Sequence, residues 1–354
     1  MDLLLAAQKQ LGFHLTALFS PQHGFWGQDQ DNMVETPHSE WKGVRLYSLY
    51  SETRKPSATM LADVDALVVD LQDIGTRIYT YAYTMAHVME AAAEQGKEII
   101  VLDRPNPIGG DTVQGTMLDP AYRSFVGLYP MPTRHGMTIG ELARWMNERH
   151  AIGSTLHVVP MTGWDRRAYW RDLGLTFVMP SPNIPSPEST ATFPGFVHFE
   201  GTNVSEGRGT TRPLEQCAAP FVEPERLLAH LDDTCPAWRA GAYVRPTGFT
   251  PTFQKHAGEL CLGVFVHPVD RETFNPVRTG LALMRGIRML WPDGFAWKQP
   301  PYEYETERLP IDVIAGGTWT REWSEGRHAW SDFDDRERAD TGAFRAERQP
   351  YLLY

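Results

Sequence analysis

The sequence predicts an α/β fold built on a parallel sheet, and three observations carry that reading. Short apolar runs of strand length alternate with longer helical patterns. The runs are apolar at successive positions, as in strands covered on both faces. Several of them stop in conspicuous polar clusters, and ligands of open parallel sheets bind beyond the carboxyl ends of the strands.

The elements follow in order. His14 to Phe19 reads as a strand running into Ser20-Pro21-Gln22-His23-Gly24. Ala66 to Val69 is a second, running into Asp70 to Arg77. Tyr79 to Gln95 is rich in Ala, Met and Glu, which favour helix, and Gly96 is its stop. Ile99 to Leu102 is a third strand, running into Asp103-Arg104-Pro105-Asn106-Pro107. Thr138 and Glu141 have capping-box spacing at the start of a helix that ends near Arg149. Leu156 to Val159 is a fourth strand, and Thr176 to Met179 a fifth, leading into Ser181-Pro182-Asn183. The chain changes character between Pro213 and Pro224. After it come a strand over Leu260 to Val266 and a helix over Thr279 to Leu290. Beyond about residue 300, Arg, Asp, Glu and Trp predominate, and a solvated tail is expected. A length of 354 residues favours two domains, placed at 1–215 and 216–354.

Composition narrows the function. With 42% hydrophobic and 22% charged residues the chain is globular. A net charge of -11 opposes binding to nucleic acid or anionic lipid but leaves a small anionic ligand open. Cys217, Cys235 and Cys261 are too few and too widely spaced for a disulfide framework or zinc site, so buried, inert thiols are expected. No apolar run has the ~20 residues of a membrane span. The start, MDLLLAAQKQLGFH, lacks a basic region and a cleavage site, so a cytoplasmic location is expected. The twelve His form no HxxxH or HExxH pair, and neither a metal nor another cofactor is expected. P-loop, dinucleotide-fingerprint and Gly-x-Ser-x-Gly patterns are absent.

Five clusters remain as candidates. Gln22-His23-Gly24 is either a ligand turn or a plain polar turn. Asp73, Arg77, Tyr79 and Tyr81 form the second, read as a site or as an internal Asp–Arg pair fixing the loop. Asp103, Arg104 and Asn106, stiffened by two prolines, suit ligand positioning, or Asp103 caps the next segment. Arg134 and His135 precede a helix start and suit an anion, or simply cap it. Asn183 and the Gly-rich stretch with Glu200, Asn203, Glu206 and Arg208 complete the set. Carboxylates act as acid, base or nucleophile in glycoside hydrolysis, Asn and Asp bind hydroxyls, and aromatic faces stack on sugar rings. Several Arg suit a sugar that carries a carboxylate.

LTALFSPQHG, VRLYSLY, RKPSATML, DLQDIGTRIYTY, VLDRPNPIGG, RHGMTIGELA, PSPNIP and FEGTNVSEGRGTTRP occur in that order from about residue 15 to 220. In these segments the chain resembles the NamZ-type exo-β-N-acetylmuramidases, a glycoside hydrolase family. Weaker similarity continues to LPIDVIAGG. The resemblance implies an N-terminal Rossmann-like domain, a smaller C-terminal α/β domain and an active-site cleft between them. It implies release of N-acetylmuramic acid from the non-reducing ends of peptidoglycan fragments, with a small saccharide as the partner. Members commonly read Pro-Glu-His-Gly where this chain reads Pro21-Gln22-His23-Gly24, and that Glu is their usual candidate acid. Members also usually begin with a further strand. Either the start is truncated, which brings a periplasmic or secreted location into play, or this branch lost the strand.

Gln22 cannot donate a proton as a carboxylic acid does. Glu35, Asp73 or Glu206 takes over, or the substrate's 2-acetamido group acts as nucleophile, polarised by one acid, with Gln22 orienting it. Arg77, Arg104 and Arg208 compete as clamps for the lactyl carboxylate. The rival readings are a muropeptide-binding relative without turnover, another hydrolase or deacetylase of amino sugars, and a nucleotide-sugar enzyme on a Rossmann scaffold, the last weakened because no Gly-rich phosphate turn follows the first strand.

Overall fold

Three of the apolar runs pair with one another as parallel strands. In the computed structural model, which describes residues 2–31 and 33–354, Ala66–Val69, Glu98–Leu102 and Thr155–Val159 form a sheet in that order. Val68 is in register with Ile100, and Ile100 with His157. Parallel neighbours require a crossover, and helices supply both. Tyr81–Glu94, with ten of its fourteen residues buried, joins the first pair. Ile139–Arg149 precedes the third strand. Gly96 adopts a left-handed φ of 63° past the first of these helices, the conformation that ends a helix most cheaply in Gly.

The chain divides into two units by its own contacts. One comprises Met1–Gln72, Tyr81–Arg104 and Ile139–Met161, and the other Asp73–Thr80, Pro105–Thr138 and Thr162–Tyr354.

In the first unit the sheet is covered on one face rather than two. Leu67, Val69, Ile99 and Val101 are buried, whereas Val68 is 60% and Val159 48% exposed. Successive β side chains point to opposite faces, so apolar runs alone do not show that both faces are covered. A second sheet pairs Ala17–Ser20 in parallel with Val44–Ser48, which pairs antiparallel with Ser39–Trp41. Leu18, Val44 and Leu46 form its core, with Leu5, Leu15, Phe25 and Trp41 packed against it. Leu5 belongs to a first helix, Asp2–Leu11.

The second unit contains a short antiparallel pair, Gln114–Met117 with Pro132–Arg134. It also contains a three-stranded antiparallel sheet in the order Ala242–Phe249, Cys261–Pro268, Gln216–Ala219. Helices Pro187–Phe196 and Pro276–Leu290 cross where Gly195 and Gly280 meet, so closely that a Cβ on Gly195 would lie 1.9 Å from the Pro276 carbonyl oxygen. Asn275 caps the second helix by accepting the Arg278 N–H at 3.0 Å. Cys217 and Cys261 are buried free thiols, and burial pushes Cys261 up to about 11.

Two expectations are corrected in this unit. Thr176 to Met179 is not a strand: it has no regular secondary structure, and Val178 is 74% exposed. An apolar run becomes a strand only where a neighbour supplies hydrogen bonds. The segment beyond residue 300 is not a solvated tail. It forms helices Pro310–Ala315, Trp319–Ser324 and Asp332–Arg348. Trp323 and Phe333 pack with Val277 and Leu281, flanked by Trp319 and Trp330. The charges lie between aromatic residues at helical spacing, and burial of those rings outweighs the polar composition.

Candidate active site

The strand Ala17–Ser20 delivers Gln22 into a buried position. The Gln22 Nε2 donates to the Tyr50 hydroxyl at 3.2 Å, and the Tyr50 oxygen also accepts the Met33 N–H at 2.9 Å. The Tyr81 hydroxyl reaches the Gln22 carbonyl oxygen at 3.5 Å. His23 follows with a φ of 76° and Gly24 with 78°. A left-handed His is uncommon, and such strain concentrates at functional turns. His23 Nδ1 lies 2.7 Å from the Asp29 carbonyl, which can only accept, so Nδ1 carries the hydrogen. The Asp29 N–H returns a bond to the His23 carbonyl at 3.1 Å. Glu35, farther along the same connection, is exposed.

Asp103 follows the strand Glu98–Leu102, and its Oδ1 accepts the Gly140 N–H at 2.7 Å and the Arg104 N–H at 2.9 Å. It thereby satisfies an open amide at the start of the helix Ile139–Arg149, a capping role. Arg104 pairs with Asp70, its Nε 2.6 Å from Oδ1. The Arg104 side chain remains 41% exposed.

The second unit holds two groups of site residues. In the first, the Asp73 Oδ2 accepts the Gly75 N–H at 2.6 Å and lies 3.3 Å from the His135 Nε2, both side chains being almost fully buried. The Met137 N–H donates to the His135 Nδ1 at 3.1 Å. Asn106 ties the same loops by donating to the Met137 carbonyl at 3.0 Å and accepting the Ile108 N–H at 3.1 Å. Gly75 has a φ of 81°, and a Cβ there would stand 2.5 Å from the Asn106 Oδ1. Arg348, from the last helix, donates to the carbonyls of Gly110, His135 and Gly136 and so braces the loop from behind.

Two arginines of this region point into the fold. Arg77 donates to the carbonyls of Val126 and Ile314, at 3.3 and 2.8 Å. Arg134 donates to Gln114 at 2.8 Å, to the Tyr169 hydroxyl at 2.7 Å and to the Ile108 carbonyl. Tyr79 is buried with its ring edge-on to Phe193. Asn183 is buried in the turn that the Ile184 N–H closes onto the Ser181 carbonyl.

The second group is an ionic network. Arg208 pairs with Glu200 and with Glu206, its Nε 3.1 Å from the latter's Oε1. Lys255 donates to the Glu206 Oε2 at 2.6 Å and to the carbonyls of Phe199 and Val204 at 2.7 and 3.0 Å. The Tyr302 hydroxyl donates to the Glu200 Oε2 at 2.8 Å. Burial pushes Glu206 upward, but Lys255 and Arg208 outweigh it and hold the carboxyl below its usual range. Burial, with Glu200 adding, pushes the Tyr302 phenol well up. Asn203 is engaged elsewhere, donating to the Gly294 carbonyl at 2.7 Å and accepting the Ala296 N–H at 2.9 Å.

Tyr50, Lys255, Tyr302 and Arg348 were not legible as site residues. Tyr50 lies in VRLYSLY, whose alternation marks a strand and not a partner for Gln22. The other three are brought in from distant sequence and carry no local signal. Among the described residues, no three His, Cys, Asp or Glu side chains are grouped to hold a metal ion, and no helix is long and apolar enough to cross a membrane.

Comparison with known proteins supplies the context of these groups. Residues 1–188 match the family described as exo-beta-N-acetylmuramidase NamZ, N-terminal, and residues 191–354 match its C-terminal counterpart. The peptidoglycan beta-N-acetylmuramidase NamZ of Bacillus subtilis (strain 168) is 44% identical over 341 residues, covering 96% of this chain and 80% of that protein. A crystal structure of a DUF1343 family protein from Bacteroides fragilis superposes with a TM-score of 0.87 at 35% identity, covering 99% of this chain and 89% of that one. A second such protein from the same organism gives 0.73 at 29% identity with the same coverage. Family matches along nearly the whole chain and identity at this level lead to one conclusion: the chain belongs to the NamZ exo-β-N-acetylmuramidase family.

Proposed function

We propose that this protein is a glycoside hydrolase that releases N-acetylmuramic acid from the non-reducing ends of peptidoglycan fragments during cell-wall turnover. The observation that carries this reading is 44% identity to a peptidoglycan β-N-acetylmuramidase across 96% of the chain.

Geometry sorts the candidate roles. Glu206 is held ionised by two cations and is ill suited to give up a proton. Glu200 is bound by Arg208 and Tyr302, and Asp103 caps a helix. Asp73 is the buried carboxyl beside an imidazole, and we assign it the proton-handling role, either as general acid or in polarising the 2-acetamido group. Glu35 is the exposed alternative. Gln22, a buried amide fixed by Tyr50, orients the substrate. Arg104 is the clamp for the lactyl carboxylate, because its guanidinium is partly exposed while Arg77 and Arg208 are engaged inside the fold.

The test is incubation with a muramic-acid–glucosamine disaccharide. Free N-acetylmuramic acid is expected, and acetate instead would indicate a deacetylase. Asp73→Asn is expected to lower kcat by about 10²–10⁴-fold and Glu35→Gln to change it little. If both variants keep wild-type kcat, the acid lies elsewhere. Gln22 in the place of the family's usual Glu favours one second reading, a muropeptide-binding protein without turnover. Calorimetric binding with no product would select it.

A further inference from the structure

Residues 23–29 form a small loop clasped at its base. His23 and Asp29 exchange two hydrogen bonds, through the His23 ring and through the backbone, at 2.7 and 3.1 Å. The Asp29 carboxylate is itself held by the Thr36 hydroxyl at 2.7 Å and by the Gln28 side chain at 3.1 Å. Gly24 and Gly27 both have left-handed φ, which bends the chain at either side of Phe25-Trp26. Phe25 turns inward, its ring 5.8 Å from that of Trp41 and packed against the core of Leu18, Val44 and Leu46. Trp26 turns outward and is 74% exposed, its ring edge-on to Phe25 at 4.9 Å. The Trp26 N–H is tied to the Gln28 side chain at 3.1 Å. A rigid loop therefore holds a bare indole four residues from Gln22.

We propose that Trp26 is a stacking platform for the leaving-group sugar, the 2-acetamido hexopyranose on the reducing side of the bond that is cut. The proposal rests on the hydrolase reading above. An enzyme that takes single residues from a chain end must enclose the terminal sugar, while the rest of the chain emerges into solvent. An indole this exposed, on a loop rooted at Gln22 and His23, meets the emerging part. The axial C–H face of a β-linked pyranose is apolar and flat, and matches an indole face in size and polarity. The clasp lowers the ordering cost of such a contact because the loop is fixed before binding.

The experiment compares wild type, Trp26→Ala and Trp26→Phe on two substrates, the muramic-acid–glucosamine disaccharide and N-acetylmuramyl azide, whose leaving group cannot stack. Trp26→Ala is expected to lower kcat/KM for the disaccharide about tenfold, chiefly through KM, and to leave the azide within about twofold; tenfold corresponds to about 1.4 kcal/mol. Trp26→Phe should retain most of the disaccharide activity. Equal losses on both substrates, or no loss on the disaccharide, overturn the proposal. If wild type cleaves neither compound, the hydrolase reading fails on its own. Titration of the intrinsic fluorescence with the disaccharide then decides the stacking role. About tenfold weaker binding by Trp26→Ala supports it, and unchanged affinity overturns it. The residue is exposed, so folding of the variants is expected to be unaffected, which thermal melting verifies.

Discussion

His135 presents its Nε2 to the Asp73 Oδ2 at 3.3 Å, and the backbone decides which nitrogen faces the acid. Because the Met137 N–H donates to Nδ1, a neutral His135 carries its hydrogen on Nε2. The Nε2–H thus faces the carboxylate without the alignment of a hydrogen bond, while the Gly75 N–H binds the same oxygen from the loop side.

Asparagine at position 135 keeps an acceptor near the Met137 N–H but does not reach Asp73. His135→Asn should therefore lower kcat on the disaccharide by about 10²-fold, the cost of a misplaced reacting group. Its KM should change little. Stability should fall by no more than about 1–3 kcal/mol, the penalty for one disturbed buried polar pair. Kinetics and urea unfolding measured together check this, and unchanged kcat with lowered stability would reduce His135 to a structural brace.

The Gln22 amide donates to Tyr50 in a buried setting; a neutral carboxyl can donate in its place, while a carboxylate has to accept from the Tyr50 hydroxyl with its charge buried. Burial raises a carboxyl pKa, so the stabilising form of Gln22→Glu is present at low pH and is lost as pH rises through the folded pKa. The variant should be less stable at pH 8 than at pH 5 by about 1–3 kcal/mol relative to wild type, with kcat no higher than wild type. Urea melts at the two pH values check the first part. A rise in kcat of about 10²-fold would move the acid from Asp73 to position 22.

Arg104 is half in solvent, and its pair with Asp70 contributes little to folding. Arg104→Met should leave stability within about 0.5 kcal/mol. It should weaken product inhibition by N-acetylmuramic acid about tenfold while leaving any inhibition by N-acetylglucosamine unchanged, since only the former carries the lactyl carboxylate. Inhibition constants for the two sugars provide the check.

Burial, with the charge of Arg77 adding, holds the His198 imidazole down at about 4. Its Nδ1–H donates to the Gly195 carbonyl at 3.2 Å. The unfolded chain takes up this proton below about pH 6.5, and the folded chain only near pH 4. The unfolded state therefore binds more protons between these values, and stability falls as pH drops from 6.5 to 4. The loss should total about 3 kcal/mol at 1.36 kcal/mol per tenfold. His198→Gln should flatten that part of the stability–pH curve, and urea unfolding at several pH values reads it. An unchanged slope would place the acid sensitivity in other groups.

Local pattern determined a good part of this protein. Ala66–Val69, Glu98–Leu102 and the helix Tyr81–Glu94 with its Gly96 stop were readable because strand, helix and cap each leave a signature within a few residues. The ordered segments from LTALFSPQHG to FEGTNVSEGRGTTRP were enough to suggest the family. Tertiary structure decided the rest. Thr176 to Met179 has strand composition but no neighbour to complete its hydrogen bonds, and the aromatic residues beyond 300 show their purpose only where Trp323 and Phe333 meet Val277 and Leu281. Arg77 reads as a ligand clamp and Arg134 as part of an anion site, but charge alone does not say which way a guanidinium points, and both bind groups of the fold itself. Lys255 and Tyr302 join Glu206 and Glu200 from about 50 and 100 residues away, since buried charge must be neutralised by whatever the fold brings near, wherever it stands in the chain.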